Sequence, residues 1–465
     1  MNDVIFRQYD IRGKVGIDLL IDQVYAFGRA LAYYFLQKNP QIKTVVVGMD
    51  GRVHSAALQE QLTAGLIDSG LNVLFIGTCP SPVMYFAVYN YDVQAGVMIT
   101  ASHNGKEYNG FKIKLGTESV CGDQIQEIKQ LFKAQKEVAA QQKGSITREP
   151  VVEAYIDWLA DHFASLRSMQ LSVVVDCGNG AAGTVLPQLV QRMDWPNVQL
   201  LYPEVDGTYP HHDANPIEEK NMADVKQILA TTDIKLGVGL DGDADRMAAM
   251  TKEGYLIPGD KLLGILSKPI VDHHKGTAIV FDSTCSGALA ELLAQWGARP
   301  IMSPTGSSYI KQYMKKSGAL FGGEVSCHFF FADRYFGYDD GIYAMMRLFE
   351  IVIESPSLTA KLVEFPVKYG SGNIRIACPD ESKEFVVSAL KQYFQADPDV
   401  TINCLDGIRV LWQGGWGLVR ASNTEPKLSV RFEANSQQEL HDIRQRFIQA
   451  LSGYFDRTVL EKDLL

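Results

Sequence analysis

The chain has 465 residues, 46% of them apolar, 10% aromatic and 21% charged, which at about 100 to 200 residues per domain implies several packed domains and excludes the disordered and collagen-like classes. Its 44 Lys and Arg against 54 Asp and Glu give a formal charge of -10, the wrong sign for a nucleic-acid binder, so any phosphate site must be local. Seven cysteines, odd in number and without a C-x-x-C pair, argue against a zinc site and a secreted disulfide framework and fit a reducing cytoplasm.

The opening MNDVIFRQYDIRG carries acidic residues early and no apolar run, and no stretch of about 18 apolar residues follows, so neither a signal peptide nor a membrane span is predicted. Further along, KTVVVGMD (43–50), LSVVVDCG (171–178) and TAIVFDST (277–284) repeat one plan: a β-branched run ending in Asp, then a helix-like stretch. Each copy goes on to a second short strand led by Gly70-Leu-Asn-Val73, Asn197-Val198 or Gly297-Ala-Arg-Pro300. A third strand follows in QAGVMIT (94–100), IKLGVGL (234–240) or GALFGG (318–323). Strands alternating with helices predict largely parallel sheets, whose ligands sit beyond the carboxyl ends of the strands. The amphipathic run QIQEIKQLFKA (124–134) reads as a helix, while KGSITREP (143–150), TKEGYLIPGD (251–260) and ESPSLTAKLVEFPVKYGSGN (354–373) read as linkers or turns. The tail differs. KLSVRFEA (427–434) alternates as an antiparallel strand with one wet face, and Ser436-Gln-Gln-Glu439 is a capping box opening a helix through Leu440, Ile443, Phe447 and Leu451. The fold class is therefore three related mixed-sheet α/β domains plus a C-terminal α+β domain, divided at 1–147, 148–250, 251–364 and 365–465.

The loops after the third strands are where chemistry is expected. TASHNG (100–105) holds Ser102, His103 and Asn104, with Lys106 and Lys112 downstream; Ser102 reads equally as a cap and as a nucleophile, and without a G-x-S-x-G elbow acyl transfer gains no support. Gly178-Asn-Gly180-Ala-Ala-Gly183 follows a strand, with Glu204 21 residues beyond the last glycine, as in a dinucleotide fingerprint. Asp176 at the strand end would repel a pyrophosphate, which favours a tight strand-to-helix turn. DGDADR (241–246) puts Asp241, Asp243 and Asp245 on one short loop, a costly concentration of charge unless a hard cation such as Mg²⁺ shares them. An EF-hand fails because Arg246 and Lys252 stand where Gly and Glu are required; an aspartyl-nucleophile phosphatase loop fits less well than a metal site. GEVSCH (323–328) offers Glu324, Ser326 and His328 at alternate positions, suited in an extended loop to gripping neighbouring sugar hydroxyls. Arg420-Ala-Ser422-Asn423-Thr424 combines a guanidinium, hydroxyls and an amide, a phosphate cradle or a polar hairpin loop.

Four such loops in this order, together with Tyr9-Asp10-Ile11-Arg12-Gly13, Tyr108-Asn109-Gly110-Phe111-Lys112 and Tyr335-Phe-Gly-Tyr-Asp339-Asp340-Gly341, resemble the α-D-phosphohexomutases over essentially the whole chain, most closely the bacterial phosphomannomutase/phosphoglucomutase branch. The resemblance implies a C-terminal domain of TATA-binding-protein-like fold and an active site in a central cleft. It implies an enzyme that interconverts hexose 1- and 6-phosphates of mannose or glucose through a phosphoserine at Ser102 and a glucose or mannose 1,6-bisphosphate. Mg²⁺ would be held by Asp241, Asp243, Asp245 and the phosphoserine. Lys112 and Arg12 fall where the family places proton-transfer and transition-state groups, with His103 and Arg246 also catalytic. Glu324 and Ser326 would hold the sugar hydroxyls with His328 and Tyr9 beside them, and Arg420, Ser422, Asn423 and Thr424 the non-reacting phosphate. Such an enzyme would be cytoplasmic, a monomer or weak dimer, with hexose phosphates as its partners and neither nucleic acid nor membrane among them. Thr284 and Ser307 stand where the branch usually carries Lys and His, which predicts weaker contacts to the sugar phosphate. The competing functions are a Mg²⁺-dependent sugar phosphatase and a non-catalytic sugar-phosphate-binding protein on a mutase scaffold.

Overall fold

Three apolar runs with β-branched residues become the central strands of three sheets: Thr44–Met49, Val173–Asp176 and Ala278–Asp282. Each lies between the second and third strands of its copy, and all pairings are parallel: Asn72–Thr78 and Ala95–Ile99, Val198–Leu201 and Leu236–Leu240, Arg299–Ser303 and Phe321–Gly323. The repeat read from the sequence is thus a repeat of strand order. The computed structural model describes residues 1–355, 357–422 and 426–465, and the chain forms two compact units, residues 1–266 with 326–359 and residues 267–325 with 360–465.

In the first unit the first sheet is extended by Tyr108–Leu115, antiparallel to Ala95–Ile99, and then by Ile11–Lys14. Helices Val24–Lys38 and Ser55–Asp68 supply Phe27, Leu31, Phe35, Leu58, Leu62 and Leu66 to a core against Val45, Val47, Val73 and Val97. They approach so closely that a Cβ on Gly28 would stand 2.7 Å from the Leu62 carbonyl. On the far edge, Ile146–Arg148 pairs in parallel with Asn72–Thr78. This corrects the reading of 143–150 as linker: an open strand edge offers unpaired backbone groups, and Ser145 O takes the Val73 N–H at 2.8 Å. The second sheet is closed by the hairpin of Leu236–Leu240 with Met247–Thr251, so the acidic loop between them is pinned at both ends.

The second unit carries the third sheet and a separate antiparallel one, in which Lys427–Ala434 pairs with Tyr369–Gly370, Ile374–Ala377 and Gly415–Ala421. Helices Asp380–Gln395 and Gln437–Leu451 cover one face, with Leu390, Phe394, Leu440, Ile443 and Phe447 on Leu428, Val430 and Phe432. Ser436 Oγ caps Glu439 N at 3.2 Å as the capping box requires. The other face of Lys427–Ala434 is not wet. Glu433 is buried, accepting from Trp416 Nε1 at 3.0 Å and Gly287 N at 2.8 Å, and Arg431 donates to the Thr284 carbonyl at 2.5 Å. Alternation reveals which residues share a face but not what covers the polar one. Among the described residues no disulfide forms, and no helix is long and apolar enough to cross a membrane.

Candidate active site

Ser102 leaves the fully buried strand Ala95–Ile99 and turns sharply, with φ +50° in the left-handed region. Its N–H donates to Thr100 Oγ1 at 2.9 Å; its Oγ donates to Asp241 Oδ2 at 2.6 Å and lies 3.1 Å from His103 Nδ1. The two loops meet through backbone as well. Gly242 needs its missing side chain, since a Cβ there would come within 2.5 Å of the Ser102 carbonyl.

Asp241, Asp243 and Asp245 are all buried, with ligand-capable oxygens within 4.8 Å of one another. Asp241 Oδ1 accepts from Arg246 N at 3.2 Å, and Asp243 Oδ2 accepts from Ser81 Oγ at 2.5 Å and Lys112 Nζ at 2.6 Å. Lys112 also donates to Asp245 Oδ2. The remaining oxygens, Asp243 Oδ1 and Asp245 Oδ1, are buried without a hydrogen bond; His328 Nε2 is 3.2 Å from the latter but not aligned to donate. Orphaned carboxylate oxygens converging from one loop suit a hard divalent cation with an oxygen shell, so the acidic group could bind a metal. A second group capable of ligation, Asp245, His328 and Asp339, shares Asp245.

Electrostatics separates the carboxylates. Burial, then the charges of Asp245 and Asp243, push Asp241 up to about 7. Burial acts on Asp245 in the same sense, but Lys112, His328 and Arg246 outweigh it and hold Asp245 well below the usual range. For Lys112 burial is likewise outweighed, by Asp243 and Asp245, which hold the ammonium protonated far above its ordinary range. A base role for Lys112 therefore needs those carboxylates engaged elsewhere. His103 is driven well below its usual value by burial and then by Arg246, Arg12 and His328, so its ring is neutral.

Arg12 joins this constellation through Asn104 Oδ1 at 2.5 Å and an ion pair with Asp10. Arg246 Nε donates to His328 Nε2 at 3.2 Å and sits 3.8 Å from Asp241 Oδ2. Ser326 Oγ is 3.0 Å from His328 Nδ1, and Tyr9, half-buried, precedes Asp10. The loop 323–328 is not the extended segment expected, because Cys327 has φ +66°, which breaks the alternation. The structure thus brings Ser102, His103, Arg12, Lys112, the three aspartates, Arg246, Ser326 and His328 together within the first unit.

Glu324, Arg420 and Ser422 belong to the second unit. Glu324 is buried and accepts from Gly306 N at 2.6 Å, and Arg420 Nε is 3.0 Å from Asp406 Oδ2. Asp406 also accepts from Ser283 Oγ at 2.7 Å and Thr305 N at 2.9 Å, tying the strand of Arg420 to the loops of the third sheet. Thr284 is folded back on Asp282 by its own hydroxyl, and Ser307 starts helix Ser307–Ser317. The Ser422 carbonyl accepts from Lys383 Nζ at 2.6 Å. Asn423 and Thr424 lie outside the described residues. Sequence reasoning missed Asp406 and Arg409, whose guanidinium stacks 3.6 Å from the Trp416 ring and donates to the Ser283 carbonyl. Neither lies in a motif. In the dinucleotide-like turn, the N–H groups of Gly178, Asn179, Gly180 and Ala181 bond Asp176, Tyr202, Cys177 and Gly242 of this chain, leaving none of the four for a pyrophosphate.

Comparison with known proteins points to one family. Four phosphoglucomutase/phosphomannomutase profiles match in order: alpha/beta/alpha domain I over residues 3–139, domain II over 153–254, domain III over 258–369 and the C-terminal domain over 374–450. The chain is 41% identical to a phosphomannomutase/phosphoglucomutase of Pseudomonas syringae, covering 95% of this chain and 94% of that protein. It is 38% identical to a phosphoglucomutase of Neisseria gonorrhoeae, covering 95% of each. Among solved structures, a phosphoglucomutase/phosphomannomutase family protein of Burkholderia thailandensis superposes with a TM-score of 0.88 at 32% identity, over 97% of this chain and 98% of that one. The serine bonded to a buried triple-aspartate loop, the three copies of one sheet plan, the separate antiparallel sheet and the four family profiles matched in order agree: the chain belongs to the phosphoglucomutase/phosphomannomutase family of phosphohexomutases.

Proposed function

We propose that this phosphohexomutase interconverts hexose 1- and 6-phosphates, of mannose, glucose or both, with Ser102 as the phosphoryl carrier. The observation that carries the reading is the 2.6 Å bond from Ser102 Oγ to Asp241, which joins the nucleophile of one sheet copy to the acidic loop of the next. In the first half-reaction a sugar hydroxyl attacks the phosphorus of phosphoserine 102 in line; the new O–P bond forms as the P–Oγ bond breaks, giving hexose 1,6-bisphosphate. The hydroxyl proton passes to Lys112, and the leaving Oγ takes the proton that His103 received when the serine was phosphorylated. In the second half the bisphosphate has turned around, Ser102 Oγ attacks its other phosphorus, and the alternative monophosphate leaves as its oxygen takes the proton back from Lys112. The neutral ring of His103, 3.1 Å from Oγ, accepts the serine proton at that stage.

Mg²⁺ is our assignment for the cation of Asp241, Asp243 and Asp245, where it would spread the charge developing on the phosphoryl oxygens and engage the carboxylates that otherwise hold the Lys112 proton. Arg12 and Arg246 add positive charge around the transferring group. Glu324 and Ser326, with His328 and Tyr9, are assigned to the sugar hydroxyls, and Arg420, Ser422, Asn423 and Thr424 to the phosphate that is not reacting. Glucose or mannose 1,6-bisphosphate serves as both intermediate and activator, and we assign the enzyme to the cytoplasm. Incubation with glucose 1-phosphate tests the reading: glucose 6-phosphate is expected, and free phosphate alone would make the chain a phosphatase.

A further inference from the structure

In each sheet copy a buried aspartate ends or directly follows the first strand: Asp50, Asp176 or Asp282. Each carboxylate caps the backbone two residues on: Arg52 N at 3.1 Å, Gly178 N at 2.8 Å and Thr284 N at 2.7 Å. In the third copy Asp282 Oδ2 also accepts directly from Val325 N at 2.7 Å, in the loop that follows the third strand. In the first copy the connection to the corresponding loop runs through Arg52. Its Nε donates to Asp50 Oδ2 at 3.1 Å, its Nη2 to the carbonyls of Ser102 at 2.8 Å and Asn104 at 2.6 Å, and its Nη1 to those of Gly105 at 2.7 Å and Tyr108 at 3.1 Å. The Arg52 side chain is 0% exposed, and the Tyr209 ring lies 5.2 Å from its guanidinium carbon.

We propose that Arg52 is a positioning residue for the phosphoryl-carrying serine, an inference that rests on the reading of Ser102 as carrier. A non-glycine residue in the left-handed region persists only where its surroundings over-determine it, and here one guanidinium holds the carbonyls on both sides of the turn. Pulling on the Ser102 carbonyl fixes the peptide plane after Ser102, while Thr100 Oγ1 holds the Ser102 N–H before it, and the turn so clamped, with Ser102 at φ +50°, aims Oγ at Asp241. Only a planar fork serves this geometry: five donors in one plane match carbonyls spread over seven residues plus a carboxylate, whereas an ammonium presents three donors from one point. Arg52 does not bond the Ser102 side chain in this way; it acts through the backbone. Glu324, assigned to the sugar hydroxyls, and Arg420, assigned to the non-reacting phosphate, are anchored separately, to Gly306 and to Asp406. Loss of Arg52 should therefore slow phosphoryl transfer without weakening sugar binding.

The test uses the full chain with Mg²⁺ and the variants Arg52→Lys and Tyr209→Leu, the second uncovering one face of the guanidinium. Phosphorylation of dephosphorylated Ser102 by glucose 1,6-bisphosphate is followed by rapid quench and intact mass, beside steady-state kinetics with glucose 1-phosphate and thermal unfolding. Because a displacement of about 1 Å at a reacting atom costs about a hundredfold, Arg52→Lys is expected to lower the phosphorylation rate and kcat by about that factor with KM within about threefold. Tyr209→Leu should show the same pattern at about three- to tenfold. Wild-type phosphorylation by Arg52→Lys, or a loss confined to KM, overturns the proposal; if Arg52→Lys does not fold, an unchanged kcat in Tyr209→Leu overturns it instead. Ser102→Ala separates the two readings. Turnover by Ser102→Ala defeats the carrier assignment, whereas an inactive Ser102→Ala beside a fast Arg52→Lys defeats only the role of Arg52.

Discussion

Replacing Asp241 by Asn should stabilise the metal-free protein while destroying the enzyme. Asp241 lies within 4.8 Å of both Asp243 and Asp245, and at an effective dielectric of about 20 each such repulsion is worth about 3.5 kcal/mol. Against the two repulsions stands the attraction to Arg246 Nε at 3.8 Å, about 4 kcal/mol on the same scale. The net is about 3 kcal/mol in favour of a neutral, isosteric side chain, less a share for Lys112. The titration of Asp241 agrees in sign: its folded value is raised to about 7, so the folded state takes up a proton that the unfolded state lacks between pH 7 and the usual Asp range near 4. Metal-free wild type should therefore gain about 2 kcal/mol from this group between pH 8 and pH 5.5, and the Asn variant should not. Urea unfolding in excess chelator at the two pH values measures both effects, and repetition with Mg²⁺ should reverse the order, since only the wild type keeps its full ligand set. A variant less stable than wild type in chelator, or a pH slope shared by both proteins, would refute the reasoning.

Ser102→Ala should abolish turnover with the unfolding transition retained, because it removes a nucleophile from a loop and opens no cavity of consequence; hexose phosphate isomerisation by this variant counts against the serine cycle. Dephosphorylated enzyme should show a lag with glucose 1-phosphate that catalytic glucose 1,6-bisphosphate removes, and full initial velocity without it contradicts an obligatory bisphosphate. Thr284→Lys should leave KM for glucose 1-phosphate within about threefold, because Arg431 already brings a cation to the Thr284 carbonyl and a second charge meets like-charge repulsion of a few kcal/mol; a tenfold fall in KM would show that the missing lysine was not replaced. Burial raises Asp406, but Arg420 together with the hydrogen bonds from Thr305 and Ser283 outweighs it and holds the carboxyl below the usual range, so the stabilisation is present above the ordinary Asp value and is lost as pH falls through the lowered folded one. Asp406→Asn should accordingly lower stability by about 1–3 kcal/mol at neutral pH, with the difference from wild type shrinking towards pH 3 in acid unfolding.

The sheets were legible because a β-branched run ending in Asp is written three times, at 44–50, 173–176 and 278–282, with its partners at similar distances. The same local cue could not announce Ile146–Arg148, a three-residue strand formed because the edge beside Asn72–Thr78 is open. Nor could alternation in 427–434 show that Ser429 and Glu433 are buried, since that depends on segments more than a hundred residues earlier, such as Gly287. In the site, Ser102 and the three aspartates stand out by chemistry and spacing. Arg52 and Asp406 do not: their neighbourhoods, an Asp-Gly-Arg turn and a Leu-Asp-Gly turn, look like any other. What they do follows from the backbone groups that folding presents to them. Lys112 was legible as a functional residue, but its protonation was not, because the two carboxylates that hold its proton come from a loop 131 and 133 residues away.

The central claim is that one serine carries the phosphate between sugars, and a single-turnover experiment tests it most directly. Chain phosphorylated on Ser102, verified by intact and peptide mass, is mixed with an equal amount of glucose 1-phosphate and Mg²⁺ and quenched over time. The account predicts that the mass of one phosphoryl group leaves peptide 102 as glucose 1,6-bisphosphate appears, then returns to Ser102 as glucose 6-phosphate is released. Appearance of glucose 6-phosphate while the phosphate on Ser102 neither leaves nor exchanges with labelled sugar phosphate would contradict it.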